Sequence, residues 1–179
     1  DSNNPLFNRA LSGTYSPGST FKMLVGIGAL QENIISRDGL IKDEVIYKLG
    51  QSHFKCLHDH GFVNMSTAIK DSCNYYFYTV GYKLGIDKIS EYAKRFGLGI
   101  KTGIELNEET GSVASPETKA LRNEPWYEGY TLQASIGQDD NSFTPLQLAN
   151  YVAQIASGGV RYKPHLVKGI YSYDGEENI

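Results

Sequence analysis

The chain has 179 residues, with 17 basic against 20 acidic side chains and a formal net charge of −3. That balance gives no basic footprint for nucleic acid, the length suffices for one domain with a real core, and no apolar run approaches the roughly 20 residues that cross a bilayer. The sequence opens on Asp1 in a polar stretch, which reads as an excised piece of a longer protein, so the lack of an anchor says nothing about the parent.

Residues 1–14 are rich in Asn, Ser and Gly and read as a connection ending in Ala10-Leu11, with no chemistry of its own. Residues 15–22 follow as Tyr-Ser-Pro-Gly-Ser-Thr-Phe-Lys. Pro17 and Gly18 stop any preceding element, and Ser19 stands where a helix N-cap would. Phe21, Leu24, Ile27, Leu30 and Ile34 then recur at helical spacing, predicting a helix over about 19–32. Gly26 and Gly28 inside it cost about 1 kcal/mol each against alanine, which predicts close packing as compensation. Ser19 and Lys22, three apart, share one helix face. A serine hydroxyl is a weak nucleophile until a base takes its proton, and a lysine whose pKa is lowered by burial can be that base. The plain alternative is a capping serine followed by a surface lysine.

Residues 43–47 read as a short strand or the entry to one. Ser66 is expected to cap a short helix through Ile69. Ser72-Cys73-Asn74 then breaks that helix and starts another over 75–84. A serine and an amide two residues apart on a tight turn can point into one cleft, although a helix-junction cap looks the same. Tyr75, Tyr76, Tyr78 and Tyr82 cannot all face one way and are expected to be half-buried packing residues, with a carbohydrate-binding stripe as the alternative. Asp87 caps an amphipathic helix whose apolar face is Ile89, Tyr92, Ala93 and Phe96, ended by Gly97. Residues 107–130 look loop-like, with Trp126 and Tyr127 expected to pin the loop and lining of the cleft as the alternative, and 131–138 read as a strand or turn. Thr144 caps a helix with Pro145 at its first position; Leu148, Val152 and Ile155 are its expected buried face. Residues 160–162 and 165–171 read as strands, and Asp174-Gly175 as a hairpin turn.

Cys56, His58, Asp59 and His60 cluster in sequence, and Cys73 lies between Ser72 and Asn74. Cysteine and histidine are the preferred ligands of tetrahedral zinc. Cys56, His58 or His60, and Cys73 would supply three ligands, the fourth being the other histidine, Asp59 or a residue not evident from spacing. A disulfide and free thiols are the alternatives.

Three stretches together resemble a known family. Residues 15–22 resemble the Ser-x-x-Lys motif of penicillin-binding proteins and their serine β-lactamase relatives. Ser72-Cys73-Asn74 resembles their Ser-x-Asn motif. Ser135-Ile136-Gly137-Gln138 with Thr144-Pro145-Leu146-Gln147-Leu148-Ala149 is similar to a segment of the high-molecular-weight members. The similarity runs over about residues 5–167. It implies an α+β fold of the penicillin-binding-protein and serine β-lactamase type, with an antiparallel sheet, a helical subdomain and the active site between them. Residues 1–179 would be part of one transpeptidase domain, of the monofunctional class B and Firmicutes-like.

By that resemblance the reaction is acyl transfer on the D-Ala-D-Ala end of a peptidoglycan stem peptide. Ser19 is the nucleophile and Lys22 its base; Ser72 shuttles a proton, and Asn74 holds the substrate amide and contacts Lys22. β-Lactam antibiotics would acylate the same serine. Lys101-Thr102-Gly103 spells the third family motif, but it precedes the 144–149 segment instead of following it, so it reads as a structural loop. The true third motif, with the final strands, is expected past Ile179. Zinc near the second motif, held by Cys56, His58, His60 and Cys73, would be structural. The parent is expected to be membrane-anchored on the extracytoplasmic face, with cell-wall synthesis partners. A β-lactamase or β-lactam sensor of the same fold, and a non-catalytic metal-stabilised interaction module, are the alternatives.

Overall fold

The structure is a computed structural model that describes residues 4–173. Its core is built around helix α2 (Lys22–Gln31), which follows a short α1 (Arg9–Ser12) and a 3-10 turn at Gly18–Phe21. The two interior glycines of α2 are contact points. A Cβ on Gly26 would stand 2.8 Å from Met65 Sδ, and one on Gly28 would stand 3.0 Å from Leu84 and 3.1 Å from the Tyr92 ring. Their backbones therefore let α3 (Met65–Lys70), α4 (Asn74–Leu84) and α5 (Ile86–Arg95) pack directly on α2. Phe21, Leu24, Val25, Tyr76, Phe77, Val80, Ile89 and Ala93 fill the interface and are buried.

Two small antiparallel ribbons flank this helical core. Strand β1 (Ile41–Lys42) pairs with β4 (Phe62–Val63), and β2 (Ile46–Leu49) pairs with β3 (Ser52–Lys55) through a turn at Gly50. The β2–β3 hairpin lies on α4 through aromatic edges: Tyr47 meets Tyr75 at 5.5 Å and Tyr78 at 6.0 Å, and Phe54 meets Tyr78 at 5.9 Å. The helix-α4 tyrosines are thus packing residues, with Tyr82 bonded to Glu128.

Several local expectations change. Helix α3 is capped by Asn64, not Ser66: Asn64 Oδ1 accepts from the Thr67 amide and Thr67 Oγ1 accepts from the Asn64 amide, each at 3.0 Å. Helix α5 starts after Gly85, with Asp87 in its first turn. The 107–130 segment contains α6 (Pro116–Ala120) and the start of α7 (Glu128–Ser135), so 131–135 is helical. Packing decides this: Thr131, Leu132, Ala134 and Ser135 are buried, and Gly81 of α4 lets Ser135 press against the backbone. Helix α8 (Pro145–Ala156) begins with the expected cap, Thr144 Oγ1 accepting from the Gln147 amide at 3.2 Å. Its buried residues are Gln147 and Tyr151, while Val152 is exposed. Residues 160–162 and 165–170 are irregular and largely exposed, not strands. The expected turn at Asp174-Gly175 lies outside the described residues. Among the described residues no helix is long and apolar enough to cross a membrane.

Candidate active site

Pro17 and Gly18, the latter at φ +54°, turn the chain into the 3-10 segment that presents Ser19 to solvent. The serine makes no capping bond; its hydroxyl faces the second motif instead. The turn is seated on the loop after α7. Gly18 N–H and Ser16 O–H both donate to Gly137 O, at 3.0 and 2.6 Å. That loop is fixed in turn by buried Asn141, bonded to Ala134 O and Gln138 O, and by buried Lys119, 3.0 Å from Asp139 and 2.9 Å from Asp140.

Lys22 begins α2 and is almost fully buried, with 2 % of its surface exposed. Its Nζ donates to Ser72 O at 2.8 Å, to Ser72 Oγ at 2.9 Å and to Asn74 Oδ1 at 2.5 Å, which uses all three ammonium protons. Ser72 Oγ in turn donates to Ser19 Oγ at 2.8 Å. The four motif residues therefore form one chain of bonds, Ser19–Ser72–Lys22–Asn74. The sequence reading paired Lys22 with Ser19 directly; in the structure Ser72 stands between them. Burial pulls the Lys22 ammonium down to about 8, against the raising influence of the Cys56 and Cys73 thiols. Ser72 holds φ +55°, a left-handed conformation unusual for a residue with a side chain. That strain aims its hydroxyl and its carbonyl at Lys22 together.

Lys101-Thr102-Gly103 takes no part. Thr102 Oγ1 and the Gly103 amide both donate to Glu108, at 2.7 and 2.8 Å, which makes this a self-contained loop.

Behind the second motif lies a group of possible metal ligands: Asp43, Cys56, His60 and Cys73, whose ligand atoms are all within 4.8 Å of one another. His60 Nδ1 is 2.7 Å from Asp43 Oδ2, Cys73 Sγ is 3.4 Å from the same oxygen, and the two sulfurs are 3.8 Å apart and unbridged. Of the two candidate histidines, His60 is in the group; exposed His58 meets only the His60 ring, at 6.0 Å. Asp43 was not evident from sequence. Nothing local marks it, and it arrives only because β1 pairs with β4 and the Asp43 amide donates to Gly61 O. Burial opposes ionisation of Asp43, yet the bonds from His60, the Val45 amide and both thiols together hold its carboxyl below its ordinary value. Burial pushes the Cys73 thiol well up. The group is joined to the second motif through backbone: Tyr75 N–H donates to Cys56 Sγ at 3.4 Å, and Cys73 Sγ caps α4 by accepting from Tyr76 N–H at 3.3 Å.

This bond chain links a solvent-facing serine to a buried lysine through a second serine. The whole chain, residues 1–179, matches the penicillin binding protein transpeptidase domain, and the chain belongs to that family. It is 39% identical over 173 residues to the peptidoglycan D,D-transpeptidase MrdA of Acinetobacter baumannii, covering 93% of this chain and 26% of that protein. The corresponding figures for MrdA of Escherichia coli K12 are 37% over 174 residues, 93% and 27%. Penicillin-binding protein 2A of Bacillus subtilis is 32% identical over 189 residues, covering 95% and 25%. The chain thus spans about a quarter of the length of these relatives. Among solved structures, penicillin-binding protein 2 of Pseudomonas aeruginosa in complex with WCK 5153 superposes with a TM-score of 0.91 at 34% identity, over 100% of this chain and 41% of that one. The Helicobacter pylori complex of penicillin-binding protein 2 with MreC gives 0.87 at 37% identity, over 92% and 31%. The fold is therefore that of the penicillin-binding-protein transpeptidases, as the motifs implied.

Proposed function

We propose that this chain is the nucleophile-bearing part of a peptidoglycan D,D-transpeptidase. The observation that carries the reading is the bond chain from Ser19 Oγ through Ser72 Oγ to Lys22 Nζ. With Lys22 neutral, its lone pair accepts the Ser72 proton, and Ser72 accepts that of Ser19. Ser19 Oγ then attacks the carbonyl of the penultimate D-Ala of a stem peptide. The peptide bond to the terminal D-Ala breaks, and that residue leaves with a proton returned through Ser72. The amine of a neighbouring stem attacks the resulting ester, forms the cross-link and restores the Ser19 hydroxyl. Asn74 is read as the residue that holds the substrate amide, a role supported by its bond to Lys22 beside the relay. A β-lactam presents the same electrophile in a ring, so its opened product stays attached. The third motif is proposed to lie in sequence following Ile179, a reading supported by the commitment of Thr102 and Gly103 to Glu108.

Asp43, Cys56, His60 and Cys73 are inferred to hold a structural zinc ion. For Zn–S bonds of about 2.3 Å a tetrahedron has S–S edges of about 3.8 Å, and the two sulfurs are 3.8 Å apart. Four protein ligands close the site, so the ion would supply cross-linking, not Lewis acidity. Its effect is to fix the Cys56 loop to the α4 N-terminus and so set Ser72 and Asn74. The full-length protein is read as membrane-anchored with its transpeptidase domain on the extracytoplasmic face. Cell-wall synthesis proteins are its expected partners, by analogy with the Helicobacter pylori protein solved with MreC.

The reaction is tested by incubating the full-length protein with a synthetic stem pentapeptide and an acceptor amine. Release of D-Ala with cross-link formation, both abolished in Ser19→Ala, is expected. Release that persists in Ser19→Ala would remove Ser19 from the nucleophile's role.

A further inference from the structure

The helix that carries Ser19 is not regular, and a side chain from α8 stands at the irregularity. In an α-helix Leu24 N–H would close onto Thr20 O, four residues back. Here the Tyr151 hydroxyl bridges that pair: Leu24 N–H donates to Tyr151 Oη at 3.1 Å, and Tyr151 O–H donates to Thr20 O at 2.9 Å. The chain is 3-10 through Phe21 and becomes α at Lys22, next to this bridge. Tyr151 is fully buried, and its ring is set by the edge-on ring of Phe96 at 5.6 Å and 87°. It is bound to the residue after the nucleophile and to a residue two past the base.

The 3-10 form matters to the relay. A 3-10 segment rises about 2.0 Å per residue against about 1.5 Å in an α-helix, and it eclipses side chains three apart. From Ser19 to Lys22 that separates the two by about 1.5 Å more and stacks them in line. Ser72 Oγ occupies the space between, 2.8 Å from Ser19 Oγ and 2.9 Å from Lys22 Nζ. A turn closed into α geometry would crowd that position.

We propose that Tyr151 is a positioning residue: its buried hydroxyl, bridging Thr20 O and Leu24 N–H, holds the nucleophile's turn in the open 3-10 form that leaves room for Ser72 between Ser19 and Lys22. This rests on the transpeptidase reading above. Tyr151 touches no substrate; it acts through the spacing of the two groups that do the chemistry. Without the hydroxyl, Leu24 N–H and Thr20 O either close on each other, shortening the turn, or the buried Leu24 N–H loses its partner.

The test is Tyr151→Phe in the full-length protein, acylated by a fluorescent penicillin under rapid mixing. The amplitude reports the folded fraction, and the concentration dependence separates non-covalent affinity from the acylation rate constant. A misplacement of about 1 Å costs on the order of 100-fold, so a ~10- to 100-fold slower acylation step with unchanged affinity is expected. A crystal structure of the variant is expected to show residues 18–22 wound toward α geometry, with the Ser19–Ser72 bond lost. A folded Tyr151→Phe protein with the wild-type acylation rate, or one whose turn and relay are unchanged in the crystal, overturns the proposal. If Tyr151→Phe does not fold, Phe96→Leu frees the ring while keeping the hydroxyl: slower acylation at unchanged affinity supports the proposal, and an unchanged rate refutes it. If the wild-type protein is itself not acylated at Ser19, it is the transpeptidase reading that fails, and the crystal structure still decides the role of Tyr151 in the turn.

Discussion

Ser72 combines two properties that can be separated by substitution. Its left-handed backbone is strained by roughly 1–2 kcal/mol for a residue with a Cβ, and its hydroxyl is the link between Ser19 and Lys22. Ser72→Gly is expected to relieve the strain and raise the melting temperature; Ser72→Ala keeps the strain and does not. Both lose the relay, so both are expected to acylate with a β-lactam about 100-fold or more slowly. A Ser72→Gly protein that is stabilised yet fully active would show that the hydroxyl is dispensable. Lys22 gives a pH signature. Burial lowers it to about 8, so the neutral, proton-accepting form grows as pH rises through that value, and the acylation rate should climb with a midpoint near 8 and then level off. An unfolded lysine titrates near 10.5, so between those values the unfolded chain binds the extra proton. Lys22 therefore costs stability below about 8, and that cost fades toward pH 10.5. A flat rate profile from pH 6 to 10 would exclude Lys22 as the base.

At the level of elements, the parts of the site that were legible in sequence are those carried by short local motifs. Ser19 and Lys22 lie one turn apart, Ser72 and Asn74 flank a helix junction, and Thr144-Pro145 is a helix start that depends on its own side chains. What could not be read is what long-range packing decides. Residues 131–135 carry no strong helical period, and they are helical because α4 offers Gly81 as a seat for Ser135. Asp43 has no local signature, and the choice of His60 over His58 is made by the pairing of Ile41 with Val63 and Lys42 with Phe62, far apart in sequence. The Tyr151 hydroxyl lies 127 residues from Leu24, beyond any motif. The proposed metal site makes a prediction at this scale because a bound ion would tie the β1–β4 ribbon and the Cys56 loop to the N-terminus of α4. The full-length protein as purified is expected to contain about one zinc per chain. Chelation or Cys73→Ala is expected to release the metal and lower the melting temperature by several degrees. Metal-free protein with unchanged melting behaviour would refute the structural role.

At the scale of the molecule, the helical core is arranged so that one buried helix, α2, carries Lys22, the proposed base, at its start while its glycine faces admit the neighbours that bring the second motif to it. The α7–α8 loop and α8 brace the Ser19 turn from the other side, through Gly137 and Tyr151. A serine set between two such supports, and exposed while Lys22 is buried, fits the proposed attack on an incoming acyl donor. The most direct test is mass spectrometry of the denatured full-length protein after incubation with a β-lactam, followed by peptide mapping. The account predicts a gain of one intact β-lactam mass, located on the peptide that contains Ser19 and absent from Ser19→Ala. A folded protein that gains no mass, or gains it on a peptide without Ser19, would contradict it.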